Sequence, residues 1–515
     1  MLNRALGAAL DPKNSFESLP EVFVSSTELS RAVSRAVEEG SLRQIGPRVY
    51  TRNLRDPAEL LIRRHLWQVI SALLPGALIA DRTALELRPS ADGSIFVVAD
   101  RKRDLELPGV IVRPRRGPPP LMGMDGPFIG GLFVSSEARA YLDNMVPSRT
   151  RAERVRRTMT RGELETRLDD KIRSHGREGL NQLRDQARQI APQLGRESEF
   201  LEFDRLASSL LGTHEARLES LRGRARQAGT PYDPARLELF AALQHELRSV
   251  APVTRFARER GPGGDATLAF FEAYFSNFIE GTKFSVAEAS KIVFENIIPR
   301  ARPEDAHDVA ETWRVVSDRV EMARRPTTPA ALLRLLKARH ATVMAARPDK
   351  HPGAFKQTPN QAGSTVFVAP DLVEGTLIHG FELYHGLDTA FARAAYLMFL
   401  VAEVHPFTDG NGRIARIMMN AELAAADEER ILIPTVLRDN YISELKALSH
   451  RGDPRPFVRV LDFMQRWVAA VPWTDLSGTT AVLTRCHAFL EPAEAEEQGV
   501  RLRMPDPLDA TEEGR

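Results

Sequence analysis

Two apolar helical runs meet at one short polar segment, and that junction constrains the chain more than any other stretch. Residues 388–403 are apolar at helical spacing, and residues 405–416 then read His-Pro-Phe-Thr-Asp-Gly-Asn-Gly-Arg-Ile-Ala-Arg before a second helical run. Gly410 and Gly412 permit backbone conformations and close approaches that other residues disfavour, and a helix starting near Gly412 aims its unpaired N–H groups back at the loop. Such an arrangement binds phosphate. Arg413 and Arg416 are three apart, on neighbouring parts of one helix face, and each can make bidentate contacts to phosphate oxygens. Asp409 offers the hard oxygen that holds Mg²⁺ together with substrate phosphates and water. Asn411 can donate to an oxyanion, and His405 titrates in a range suited to proton removal. Each piece alone has a bland reading: Asp409 as a helix cap, Arg413 and Arg416 as surface pairs, His405 packed on Phe407. Their combination at these offsets favours an anion site with a catalyst beside it.

The rest of the chain sets the frame. At 515 residues it exceeds what one hydrophobic core usually supports, so roughly two to four domains are expected. Seventy basic residues against 69 acidic ones give a net charge of +1, which argues against nucleic-acid affinity along the whole chain and confines any such site to one region. The single cysteine, Cys486, excludes an intrachain disulfide and a cysteine-rich metal site, and fits a reducing cytoplasm. Residues 1–20 have no long apolar stretch after a basic end, and no run of about 18 apolar residues occurs anywhere. A soluble, cytoplasmic protein with no membrane partner is the expectation.

Near the start, Leu29, Val33 and Val37 recur at helical spacing over residues 27–39, Gly40 stops that helix, and Gly46-Pro47 turns a hairpin over residues 42–51. This is the order of a winged helix. Arg31 and Arg35 on the helix, with Arg43, Arg48 and Arg52 on the hairpin, could contact DNA phosphates. A small domain with a solvated basic face, or a protein-interaction module, fits equally. The stretch, continued through residues 76–87, resembles the N-terminal part of the abortive-infection type IV antitoxin family. That resemblance implies a winged helix followed by a small mixed module, to which the strand-like runs 94–99 and 109–112 belong.

Residues 114–120, with three consecutive prolines, read as an extended loop. Arg149, Arg151, Arg154, Arg156, Arg157 and Arg161 form a basic run that reads more readily as a solvated helix face than as a phosphate-facing one. Helical residues follow up to a Gly-Pro-Gly-Gly break within 258–264. Phe270, Phe271, Tyr274, Phe275 and Phe278 then form an aromatic stripe that reads as core, on a helix ending at Gly281. Glu280 there stands at the end of the macrodipole that favours cations, which calls for a cationic partner elsewhere. Helices are expected over 285–297, 303–322 and 326–344, then a short hairpin within 362–370 with an edge able to accept a peptide strand.

Residues 405–416 resemble the signature of the Fic family, His-x-Phe-x-(Asp/Glu)-Gly-Asn-Gly-Arg-x-x-Arg, with every defined position present. The resemblance spans about residues 272–467 and implies a helical domain that transfers AMP from ATP, with Mg²⁺, to a Ser, Thr or Tyr hydroxyl of a protein. It implies His405 as general base, Asp409 as metal ligand, and Asn411, Gly412 and Arg413 as the phosphate cradle, with Gly410, Ile414 and Ala415 also among the nucleotide-binding residues. Arg416 would grip the γ-phosphate. Ser276-x-x-x-Glu280-Gly281 matches the family's inhibitory motif, so Glu280 would pair with Arg416 and obstruct that phosphate in cis. Ala362, Gly363, Ser364 and Thr365 would form the flap beside nucleotide and target, and Tyr441 would lie on the adenine side. Ile442 and His450 depart from the family there, standing where an aromatic residue and Asn are frequent.

The expected architecture is multidomain and mainly α. It comprises an N-terminal tail (1–19), a winged-helix-like domain (20–85), an antitoxin-like α/β module (86–195), a helical connector (196–264), an all-α Fic domain with a β-hairpin flap (265–470) and a C-terminal tail (471–515). The expected function is a self-inhibited protein adenylyltransferase acting on a target protein or itself, compatible with a homodimer and with DNA held by the winged helix. The competing expectations are a DNA-binding regulator with a Fic-like sensor, or a Fic enzyme that removes AMP or uses another donor.

Overall fold

The structure is a computed structural model that describes residues 16, 18–148, 154–251 and 253–506. Most of the expected N-terminal tail, Arg149 and Arg151 of the basic run, and the end of the C-terminal tail lie outside the described residues. The chain divides into two compact units, Met1–Gln227 and Ala228–Arg515. The boundary falls inside the segment expected as a connector.

In the first unit, the helix Ser30–Glu38 lies in sequence between the strands Val22–Val24 and Arg43–Gly46, and the strand Val49–Thr51 sits centrally in their antiparallel sheet. Val33 and Ala36 bury one helix face while Arg31 and Arg35 stay exposed on the other. Three hairpin arginines are engaged internally: Arg43 donates to the Asp56 carbonyl, Arg48 to that of Ser25 and Arg52 to that of Leu19. A six-stranded mixed sheet follows, with Ser94–Val98 buried along its whole length. The strand Val110–Arg115 runs through Pro114, into the segment expected to be loop. Proline is tolerated there because the neighbouring strand Leu105–Leu107 pairs only with residues 110–112, so Pro114 faces no donor-requiring partner on that side. Between Arg154 and Thr160 the basic run is not a helix face: Arg157 reaches buried Asp81 at 2.7 Å, and the long helix Arg161–Leu194 starts from a Thr160–Glu163 capping box. Helices through Leu221–Gln227 complete this unit.

The second unit is helical apart from the small hairpin Gln361–Ala362 and Thr365–Val366 and an isolated bridge. Its centre is the helix Ala390–Val404, whose residues 394–401 are all fully buried, packed against the helix Asn411–Ala424. Phe240 and Leu243 of the helix Pro234–Ser249 belong to this same core. The aromatic helix Gly261–Ile279 buries Phe270, Phe271 and Phe275 in a second cluster with Trp467, Trp473, Leu483 and Cys486. The supposed C-terminal tail therefore contributes the helices Leu476–Arg485 and Pro492–Glu497 to the fold. Nor is the Gly-Pro-Gly-Gly stretch a flexible break. It opens the aromatic helix with Pro262 in the first turn, where no N–H is missed, and a Cβ at Gly264 would collide with the Trp473 carbonyl. Among the described residues no helix is long and apolar enough to cross a membrane, and no cluster of three or more His, Cys, Asp or Glu could hold a metal.

Candidate active site

The site forms where the central helix stops. Pro406 disfavours helical backbone at the residue before it, and His405 turns into the left-handed region with φ 52°. Gly410 adopts φ 75° immediately before the helix Asn411–Ala424. A side chain there would also strike Met344. Asn411 closes the loop by accepting from the Phe407 N–H at 2.8 Å and donating to the Phe407 carbonyl at 2.9 Å. Its side-chain amide is thus spent on loop geometry, so the expected oxyanion donor is backbone instead. Among the described residues, the N–H groups of Asn411, Gly412 and Arg413 receive no intrahelical partner, as a first turn dictates.

His405 is neutral at pH 7, because burial pushes its pKa down to about 4 against the favourable Ala402 carbonyl contact. That carbonyl, 3.2 Å from Nδ1, can only accept. Nδ1 therefore carries the proton and Nε2 presents a lone pair. The imidazole lies flat on Phe367, with ring centroids 3.7 Å apart and planes 5° off parallel. A second histidine, His340, holds the loop from below. Its Nε2 lies 3.1 Å from the Asp409 carbonyl, its Nδ1 accepts from the Gly353 N–H at 2.9 Å, and its ring stacks on Phe407 at 3.7 Å. Burial brings its pKa to about 4 as well.

The two arginines behave differently. Arg413 turns inward, donating to buried Asp308, whose same oxygen accepts from Arg347 at 2.9 Å. The other guanidinium nitrogen of Arg413 lies 4.0 Å from Asp409. Its side chain is thus engaged by Asp308 and is not a free phosphate fork. Arg416 donates through Nε to the Ser276 hydroxyl at 2.9 Å, and through Nη2 to the Ser276 carbonyl at 2.9 Å and to Glu280 at 2.7 Å. Burial opposes its charge, but Glu280 and Tyr441 more than offset this and hold its pKa above the ordinary value. Glu280 caps the end of the aromatic helix and Gly281 turns away at φ 93°. The Glu280 carboxylate rests directly over Gly412, where any Cβ would collide with it.

Other expected site residues sit elsewhere. Ile414 and Ala415 are fully buried, so a helix amphipathic about the anion end gives their side chains to the core and leaves only their backbone to the site. Tyr441 is also buried, its hydroxyl toward Met398 and beside the Arg416 guanidinium. Ala362, Gly363 and Ser364 are exposed at the hairpin tip, and Thr365 is hydrogen bonded to His450 at 2.7 Å. Asp409 has one oxygen held by the Gly410 N–H at 2.6 Å and its side chain 42% exposed, which fits a cation ligand completed by phosphate and water.

Sequence reasoning missed Asp308, His340, Asn360, Lys356 and Phe367. Asp308 left one signal, a carboxylate on the apolar face of the helix Pro303–Ser317. Asn360 donates to the Phe407 carbonyl and accepts from Lys356, whose amine is brought to about 8 by burial and by Arg236. Nothing in a polar loop marked them.

Residues 331–423 match the family model described as Fic/DOC family. Two similar curated proteins are both called protein adenylyltransferase Fic. That of Drosophila persimilis is 36% identical over 115 residues, 22% of each chain, and that of Drosophila grimshawi 28% identical over 203 residues, 37% of this chain and 41% of the other. The chain thus spans less than half the length of these relatives. Among solved structures, Fic-1 of C. elegans (residues 134–508) aligns with a TM-score of 0.34 at 20% identity, covering 63% of this chain and 97% of that one. The chain carries a Fic domain.

Proposed function

We propose that this protein is a self-inhibited protein adenylyltransferase that moves AMP from ATP to a hydroxyl of a target protein or of itself. The observation that carries the reading is the Glu280 carboxylate, seated on Arg416 and over the N-terminal turn at Gly412, within the same unit as a neutral His405. A γ-phosphate at Arg416 needs the space that Glu280 fills. The adenylyltransferase names of the relatives support the same reaction.

In the reaction, the acceptor oxygen attacks the α-phosphorus, the bond to the β-phosphate oxygen breaks, pyrophosphate leaves and the hydroxyl proton passes to His405 Nε2. The free N–H groups at residues 411–413 would receive phosphate oxygens at the positive end of the helix. Asp409 would hold Mg²⁺, which neutralises phosphate charge when bound. The Gly410 N–H keeps Asp409 aimed, and Ser276 keeps Arg416 extended once Glu280 withdraws. The N-terminal unit is proposed to choose the partner, DNA among the candidates on the strength of exposed Arg31 and Arg35.

Purified parent, Glu280→Gly and His405→Ala in the Glu280→Gly background should be incubated with labelled ATP and host lysate. We expect AMP incorporation to rise in the first variant and vanish in the second. Equal labelling by parent and Glu280→Gly removes the inhibitory assignment.

A further inference from the structure

The hairpin at residues 361–366 consists of two strands of two residues each. Its register pairs Ala362 with Thr365 and Gln361 with Val366, while the Phe367 N–H reaches the Asn360 carbonyl at 3.3 Å. In an antiparallel ladder the pairs alternate, so the backbone groups of Gln361 and Val366 point outward, one from each edge. On the Val366 edge the outward carbonyl is taken: Arg236 donates to it at 2.6 Å from the helix Pro234–Ser249. The same guanidinium makes a salt bridge of 2.8 Å with Glu403, which is 2% exposed, two residues before His405 on the central helix. Ser449 donates to the other oxygen of Glu403, and the next residue, His450, bonds the Thr365 hydroxyl. On the opposite edge Gln361 and Ala362 are exposed, and among the described residues no hydrogen bond occupies the outward groups of Gln361.

We propose that Arg236 is a positioning residue that ties the Val366 strand of the hairpin to the helix bearing His405 and so fixes the hairpin's placement beside that histidine. This rests on the adenylyltransferase reading. A single guanidinium spans the two partners because its fork offers separate donors to a carbonyl and to a carboxylate. The buried carboxylate keeps the fork in place, since Glu403 has no other cation at salt-bridge distance among the described residues. His450, at the position where the resemblance leads one to expect Asn, adds a second fastening to the same strand. A hairpin of this size does not hold its shape unaided. Its orientation relative to His405 is therefore set by these two attachments and by the Asn360 bond to the Phe407 carbonyl.

Hydrogen–deuterium exchange on the full chain tests the proposal without any substrate. In Arg236→Met, amides of residues 360–367 should exchange at least tenfold faster, and in Arg236→Lys, which can reach one partner but not both, by an intermediate factor. Unchanged exchange in both variants overturns the proposal, and so does an equal rise across Asn411–Ala424, which would report general destabilisation. In the Glu280→Gly background, Arg236→Met should label lysate proteins at least tenfold less while the KM for ATP stays within twofold. A matching rise in that KM overturns the assignment, because it places Arg236 in nucleotide binding. If the Glu280→Gly parent labels nothing, the adenylyltransferase reading fails while the exchange result still decides whether Arg236 holds the hairpin.

Discussion

Arg413 and Arg416 lie three residues apart on one helix, and the molecule surrounds them in opposite ways. Around Arg413 the partner is Asp308, fully buried and shared with Arg347, itself held by Glu304 and Asp305 as well. Around Arg416 the partner is Glu280, 25% exposed at the end of a helix, with Ser276 supplying two further bonds. Removing Asp308 leaves two guanidiniums without their shared carboxylate. Removing Glu280 leaves Arg416 still fastened. The two pairs differ in burial and in what remains after the carboxylate goes, as a permanent inner pair and an exchangeable outer one would on the proposed reading.

The largest expected effect comes from breaking the inner pair. Asp308→Ala should lower unfolding stability by about 3–5 kcal/mol in denaturant titrations, since it strands buried charge. A loss below about 1 kcal/mol would erase the contrast between the two arginines. Acid is the next lever, acting on the loop that joins them. His340 and His405 are both depressed to about 4 from an ordinary histidine value near 6.5. A depressed group contributes stability above its unfolded pKa and loses it as pH falls through the folded value. Between pH 6.5 and 4 the protein should therefore lose stability, by at most about 3 kcal/mol for each histidine. His340→Gln should remove one histidine's share of that slope, as followed by thermal melts across this range.

At the outer pair the expected change is kinetic. Glu280→Gly should raise AMP incorporation roughly tenfold to a hundredfold, the equivalent of one charge-assisted contact of about 1.5–3 kcal/mol, with a melting temperature close to the parent's. A collapse in stability would mean that Glu280 is as structural as Asp308. The smallest effect is expected of Ser276→Ala, which removes one of the bonds that hold Arg416 ready. It should weaken ATP binding to the Glu280→Gly protein by about tenfold or less, read as a KM change without loss of maximal rate.

The sequence carried the arginine contrast only in part. Glu280 was legible because a carboxylate at a helix C-terminus is an electrostatic anomaly, and Arg416 because the spacing of the signature repeats a helical face. Asp308 was not, because a charge on an apolar face is meaningful only once the facing helix is known. Apolar spacing and capping residues placed several helices of the second unit, those near 286–295, 303–317, 329–343 and 390–404 among them, but not Leu476–Arg485 or Pro492–Glu497. What spacing misjudged was proline and glycine: Pro114 continues a strand because its neighbour is short, and Gly264 opens a helix because a carbonyl presses on it. Both depend on contacts distant in sequence. Ile414, Ala415 and Tyr441 were placed at the nucleotide by motif position, and burial moved their side chains into the core.

Gly412 gives the lock a property that the ion pair alone would not have. The volume left by its missing side chain is used by the Glu280 carboxylate, and it is the same volume through which a phosphate would approach the first helical turn. A side chain there would push the flexible Glu280 carboxylate aside and at the same time occupy the space proposed for phosphate. On the proposed self-inhibited reading, relief comes from the Glu280 side, by displacing the aromatic helix terminus or changing residue 280 itself. A screen for activating mutations in this unit should return changes at and around Glu280 and none at Gly412.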